Sequence, residues 1–216
     1  MLLLAEQLKT THQTVRKSLP DALNLRLHRA ISWLQKAEQC DDDDTRFITL
    51  WIAFNAAYSQ ELGLMQLSDS SKYRQFLDKI VSLDEQSSIQ SQLWENFTQA
   101  IRVLLDNKYV YQPFWNHHNG IEGYDEWQER FNKSKQAAQI SVMNQDTAKV
   151  LNIIFERLYT LRNQIIHGGA TWNSQTNRQQ LKDATNILGQ LVPIIINIMM
   201  NHPEQIWGEA CYPVVE

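Results

Sequence analysis

The sequence predicts an all-α protein, an antiparallel helical bundle of four core helices with a helical insertion. Three observations carry that expectation. Apolar residues recur at three- and four-residue steps through most of the chain, which is the spacing of a helix face. Only 7 Gly and 5 Pro occur in 216 residues, too little turn chemistry for a protein of many short strands. The residues at segment boundaries are those that start and stop helices.

The elements follow in chain order. A short helix is expected over about residues 6–18. Leu23, Leu27, Ala30, Ile31 and Leu34 draw one apolar stripe, and Pro20 and Asp21 open a helix over 21–39. Asp41 to Asp44 precede the next helix, where acidic side chains accept free amide donors and oppose the positive helix end. That helix, 45–62, carries Phe47, Leu50, Trp51, Phe54 and Tyr58 on more than one side, so it should be central and buried. Gly63 can stop it. Residues 64–71 read as a loop, 72–82 and 84–105 as helical pieces, and 106–125 as the least regular part. A helix over about 124–138 follows. Asp146 caps a helix over 146–167 whose stripe is Val150, Ile153, Ile154, Leu158, Leu161 and Ile165, and Gly168 and Gly169 end it. At ~1.5 Å per residue it is about 33 Å long. The last helix covers 174–201, with Pro193 expected to kink it. The helices 21–39, 45–62, 146–167 and 174–201 form the core of a single domain over 1–216. Residues 64–140 are its insertion. Short connections at 40–44 and 168–173 make each flanking pair antiparallel.

Composition bounds the function. Twenty Lys and Arg against 24 Asp and Glu leave a net charge of −4. That argues against nucleic-acid binding by bulk charge alone. Residues 1–40, with six basic against three acidic side chains, are the only mildly basic stretch at the amino end. Cys40 and Cys211 cannot build a disulfide framework or a four-thiolate zinc site. The apolar run Ile187–Met200 is 14 residues and holds Gln190, Pro193 and Asn197. It falls short of the ~20 residues that a membrane span requires. The expectation is a cytoplasmic protein with no membrane partner, no cofactor and no metal.

Several polar and aromatic residues take structural readings first. His117 and His118 are adjacent, so their side chains diverge and a shared metal is not expected. Tyr109, Tyr111, Phe114 and Trp115 fit a satellite core beneath a loop, or a platform for single-stranded bases. Asn55 reads as a satisfied buried amide and Arg46 as a surface or bundle-end ion partner.

The segment Leu161-Arg162-Asn163-Gln164-Ile165-Ile166-His167-Gly168-Gly169 is the most informative. Arg and His in a last helical turn complement the negative helix end, which explains them without function. The residue types also suit chemistry. An always-charged guanidinium clamps phosphate, and an imidazole is a usable general acid or base near neutral pH. At ~100° per residue, Asn163 and His167 lie about 40° apart, on one face. Arg162 and His167 lie about 140° apart. They meet only if the Arg stem reaches round or the last turn widens to an i→i+5 pattern.

This Arg-x4-His segment resembles the signature of HEPN domains. Arg29-Ala30-Ile31-Ser32-Trp33-Leu34-Gln35-Lys36-Ala37-Glu38 and Arg46-Phe47-Ile48-Thr49-Leu50-Trp51-Ile52-Ala53-Phe54-Asn55-Ala56-Ala57-Tyr58 look like the first two core helices of the Apea-like HEPN branch. The resemblance covers most of the chain, least well 64–140. It implies an HEPN-like bundle and a metal-independent endoribonuclease, toxin or defence-related, cleaving single-stranded RNA. It also implies a homodimer in which two copies of the motif face each other. Arg162 would stabilise transition-state charge, His167 would transfer protons, and Asn163 would position the substrate or the His. A regulatory or antitoxin protein is a further implied partner. In some HEPN toxins a Tyr two residues after the His is modified by the antitoxin; here that position is Gly169. The alternative is a non-catalytic HEPN module that binds RNA or protein and dimerises.

Overall fold

The computed structural model describes residues 4–59, 69–176 and 178–212. The protein is all-α, as expected, and no strand occurs among the described residues. Among the described residues ten α-helices follow one another: α1 (Ala5–Val15), α2 (Asp21–Glu38), α3 (Asp43–Tyr58), α4 (Asp69–Ser82), α5 (Ser88–Ser91), α6 (Thr98–Asp106), α7 (Gln112–His118), α8 (Trp127–Met143), α9 (Thr147–Ile166) and α10 (Arg178–Asn201). A π-helical turn, Gln92–Asn96, joins α5 to α6, and a 3₁₀ turn, Lys108–Val110, precedes α7.

The starts of α3 and α9 follow the capping chemistry of the sequence. Asp42 accepts a hydrogen bond from the Thr45 amide at 2.8 Å, and Asp146 accepts one from the Lys149 amide at 3.1 Å. Helix α3 ends at Tyr58 with Ser59 extended; the expected stop at Gly63 lies outside the described residues. The stretch 84–105 is not one helix. Ser87 sits at φ 52°, and both Asp84 carboxylate oxygens take amides of a new helix, Ser88 at 2.9 Å and Ile89 at 2.7 Å. The stretch 106–125 is more regular than expected. Pro113 falls in the first turn of α7, where its missing N–H costs no helical bond.

The chain folds as two compact units. The first comprises Met1–Ile89 and Thr185–Glu216, the second Gln90–Ala184. In the first unit, α2 packs on α3 and on α1. Its core joins Leu23, Leu27 and Leu34 with Phe47, Leu50, Trp51 and Phe54, all buried. Rings continue from Phe54 to Tyr58 at 4.8 Å and from Phe76 to Trp207 at 6.2 Å. Arg26, 2% exposed, donates to the carbonyls of Ala57 and Trp207 and so ties α2 to α3 and to the chain after α10. Burial pushes its pKa down to about 10. The Thr185 hydroxyl donates to the Asp43 carbonyl at 3.4 Å. An 18-residue window of α10 is apolar enough to cross a membrane by length and composition, and 67% of it is buried inside the protein.

In the second unit, α9 packs on α8, on α6 and on the 3₁₀ turn. Buried Val150, Leu151, Ile154, Phe155, Leu158 and Leu161 form its inner stripe. Phe114 anchors a second cluster, with Trp127 at 4.9 Å and Tyr109 at 5.4 Å. That cluster is the satellite core anticipated for the aromatic stretch.

Candidate active site

Helix α9 presents the candidate residues at its C-terminal tip. The apolar stripe stops at Leu161, and Arg162, Asn163 and Gln164 are half-buried. The last turn keeps α geometry: the His167 amide donates to the Asn163 carbonyl at 3.0 Å. Gly168 then takes φ 72°, and its amide donates to the Ile165 carbonyl at 3.1 Å. Such a left-handed residue closes a helix and frees the chain to turn away. A Cβ on Gly169 would lie 3.2 Å from the Gln164 carbonyl oxygen. The chain passes too close there for a side chain without a shift, so a Tyr at this position would disturb the tip.

The three predicted residues divide into a pair and a lone group. Arg162 Nη1 donates to Asn163 Oδ1 at 2.8 Å, and its guanidinium lies 5.9 Å from the Tyr159 ring. Its Nε is buried without a hydrogen-bond partner. His167 is exposed, and its ring makes no hydrogen bond or ion pair among the described residues. Within one chain, Asn163 therefore holds the Arg rather than the His. The i→i+5 widening that would draw Arg162 toward His167 is absent, since the α pattern runs to the cap.

The aromatic stretch reaches this tip through one backbone oxygen. The Tyr109 carbonyl accepts from Gln164 Nε2 at 2.5 Å and from Trp115 Nε1 at 2.8 Å. The Tyr109 ring is 43% exposed, with Lys108 Nζ 5.3 Å from its centre. It borders a shallow groove of about 660 Å³ lined by Arg102, Asp106, Asn107 and Gln180. A cation, amides and an exposed ring are the parts that hold a phosphate and a flat base. This groove lay hidden in the sequence because Gln180 joins it from a segment about seventy residues after 99–109.

Other residues take structural duties. Arg157, 2% exposed, stacks over Tyr111 at 4.4 Å and donates to Ser134 Oγ at 3.0 Å. Burial pushes its pKa down to about 10, and it joins α9 to α8. His117 Nδ1 is 3.5 Å from Asp125, and His118 packs on Phe114 at 4.3 Å. Asn55 departs from expectation: its Oδ1 is buried without a partner, as is Arg46 Nε. No group of three or more metal-ligating side chains occurs among the described residues. No family model, curated protein or solved structure matches the chain.

Proposed function

We propose that the chain is a metal-independent endoribonuclease of the HEPN kind, acting on single-stranded RNA as a homodimer in toxin or defence chemistry. The carrying observation is the α9 tip. It leaves His167 in solvent immediately after the last helical hydrogen bond, with Arg162 held by Asn163 one turn before. In the reaction the ribose 2′-oxygen attacks the adjacent phosphorus. One imidazole takes the 2′ proton, a second protonates the departing 5′-oxygen, and Arg162 meets the added negative charge. The products are a 2′,3′-cyclic phosphate and a free 5′-hydroxyl.

Two imidazoles require two chains. Ile166, 46% exposed, and Trp172, 70% exposed, flank His167 in sequence and give a second copy an apolar surface. The distance in sequence between Arg162 and His167, unbridged within one chain, also fits a site completed by a partner. Tyr109 and Arg102 supply a place for the neighbouring nucleotide. Gly169 leaves no hydroxyl for modification, so an antitoxin or regulator would act by binding.

One observation favours the alternative of a non-catalytic RNA- or protein-binding module: Arg162 is already engaged by Asn163. Cleavage assays on single-stranded RNA with chelator present decide between the two. His167→Ala and Arg162→Ala are each expected to lose about 100-fold or more in rate, with cyclic phosphate ends on the wild-type product. Equal cleavage by all three proteins, or loss of activity on chelation, overturns the assignment.

A further inference from the structure

A second site lies in the first unit, where α1 and α2 diverge. Ala5 and Leu8 of α1, and Leu23, Leu27 and Ala30 of α2, are buried in the core. The adjoining stripes are polar. Lys9 and His12 of α1 and Arg16 at its C-cap recur at three- and four-residue steps; on α2, Asp21, Asn24 and His28 do the same. Together with Glu209 they line a cleft of about 590 Å³. Two packed helices ordinarily bring apolar stripes together. Here a recessed flank carries polar groups from both sides, next to Ala22, Leu25 and Ala210.

His12 is the organised group in this cleft. It is 5% exposed, and its Nε2–H donates to Asn24 Oδ1 at 2.7 Å. Its Nδ1 is then the ring nitrogen left to serve a ligand. The His28 ring centre is 6.5 Å away. Burial holds His12 below the ordinary imidazole range, opposed by the Asn24 bond and assisted by His28 and Arg16. With Nε2–H on Asn24, a neutral His12 keeps a lone pair, not a proton, on Nδ1.

The cleft therefore offers cations and acceptors together. Lys9 and Arg16 attract negative oxygens. His12 Nδ1, Asp21 and Glu209 accept hydrogen bonds. A ligand that satisfies both sets carries anionic oxygens and O–H donors at once. We infer that this cleft binds a phosphate monoester of mononucleotide size. Its phosphate would lie among Lys9, Arg16 and His28, with sugar hydroxyls directed to His12 Nδ1 and to the carboxylates. The volume falls within the roughly 300–1,000 Å³ of small-molecule sites. Sulfate matches the charge of the phosphate group but has no sugar hydroxyl to give His12.

The imidazole C–H resonances of the full chain, followed by NMR, test this with four probes: adenosine 5′-monophosphate, adenosine, inorganic phosphate and sulfate. Adenosine 5′-monophosphate is expected to shift His12 and His28 saturably, at a concentration at least about tenfold below that of each other probe. Lys9→Gln with Arg16→Gln should weaken it about tenfold or more while the core signals hold. His12→Gln should remove the preference for adenosine 5′-monophosphate over sulfate. Should that variant not fold, the Lys9/Arg16 pair decides. Absence of shifts at millimolar ligand, equal shifts with sulfate, or indifference to the double substitution overturns the site. Inorganic phosphate binding as tightly as adenosine 5′-monophosphate overturns the nucleotide assignment.

Discussion

His12 shows how one buried side chain sets a pH dependence that the sequence does not display. Its native pKa lies below its unfolded value because burial disfavours the charged ring. The unfolded chain then binds more protons than the native one as pH falls, so stability decreases in that direction. The groups facing it are Lys9, Arg16, Asp21, Asn24, His28 and Glu209. Urea midpoints should fall between about pH 7 and about pH 5, and His12→Gln should remove part of that fall. An unchanged difference between the two pH values in the variant would place the effect elsewhere. The placing of Arg162, Asn163 and His167 at a helix end was readable because Gly168 and Gly169 mark where that helix stops. Arg26 and Arg157 were not, since each sits within an apolar helical pattern and its carbonyl or aromatic partners come from distant segments. Asn55 shows the opposite error: a buried amide is usually satisfied, yet its Oδ1 here is not.

Elements with chemical signals at both ends were the legible ones. Helix α9 begins at its Asp146 cap and ends before Gly168, within a residue of the expected 146–167. The piece expected as 84–105 broke because Asp84 opens a fresh helix after Ser87, and periodicity runs smoothly through such a break. Two glycines separate the effects of backbone and space. Gly189 lies within α10, and an added Cβ would sit 3.6 Å from Arg46 Nη2 and 3.8 Å from Leu50 Cδ1, ordinary contact distances. Gly189→Ala should therefore stabilise by about 1 kcal/mol through helix propensity. Gly168 has open space around the same added atom but holds φ 72°. Gly168→Ala should destabilise by about 1 kcal/mol through the left-handed backbone, and Gly168→Asn by less. Thermal unfolding of the three variants checks both signs. Destabilisation by Gly189→Ala would mean that Arg46 cannot yield.

At the scale of the whole molecule, the net charge of −4 conceals an asymmetry. Residues 90–184, the second unit, hold ten Lys and Arg against nine Asp and Glu; the first unit holds ten against fifteen. The acidic excess thus lies outside the unit that carries the α9 tip, and repulsion of RNA is weakest where the proposed cleavage occurs. Composition alone could not reveal this, because the unit boundaries fall within helices α5 and α10, where no linker marks them. The proposed chemistry also sets a concentration dependence. If acid and base come from two chains, cleavage per mole of protein falls once dilution populates monomers, and the rate becomes second order in protein. Sedimentation across the same concentrations should place the fall at the dimer dissociation midpoint. Trp172 is 70% exposed beside the tip, and Trp172→Glu should move that midpoint upward by about tenfold or more, since a charge would replace apolar contact. Activity should return at high protein concentration, because the tip residues are untouched. A rate that stays proportional to protein through the range where only monomers sediment would show that one chain suffices. The paired-imidazole mechanism would then give way to one in which Arg162 and His167 act within a single tip.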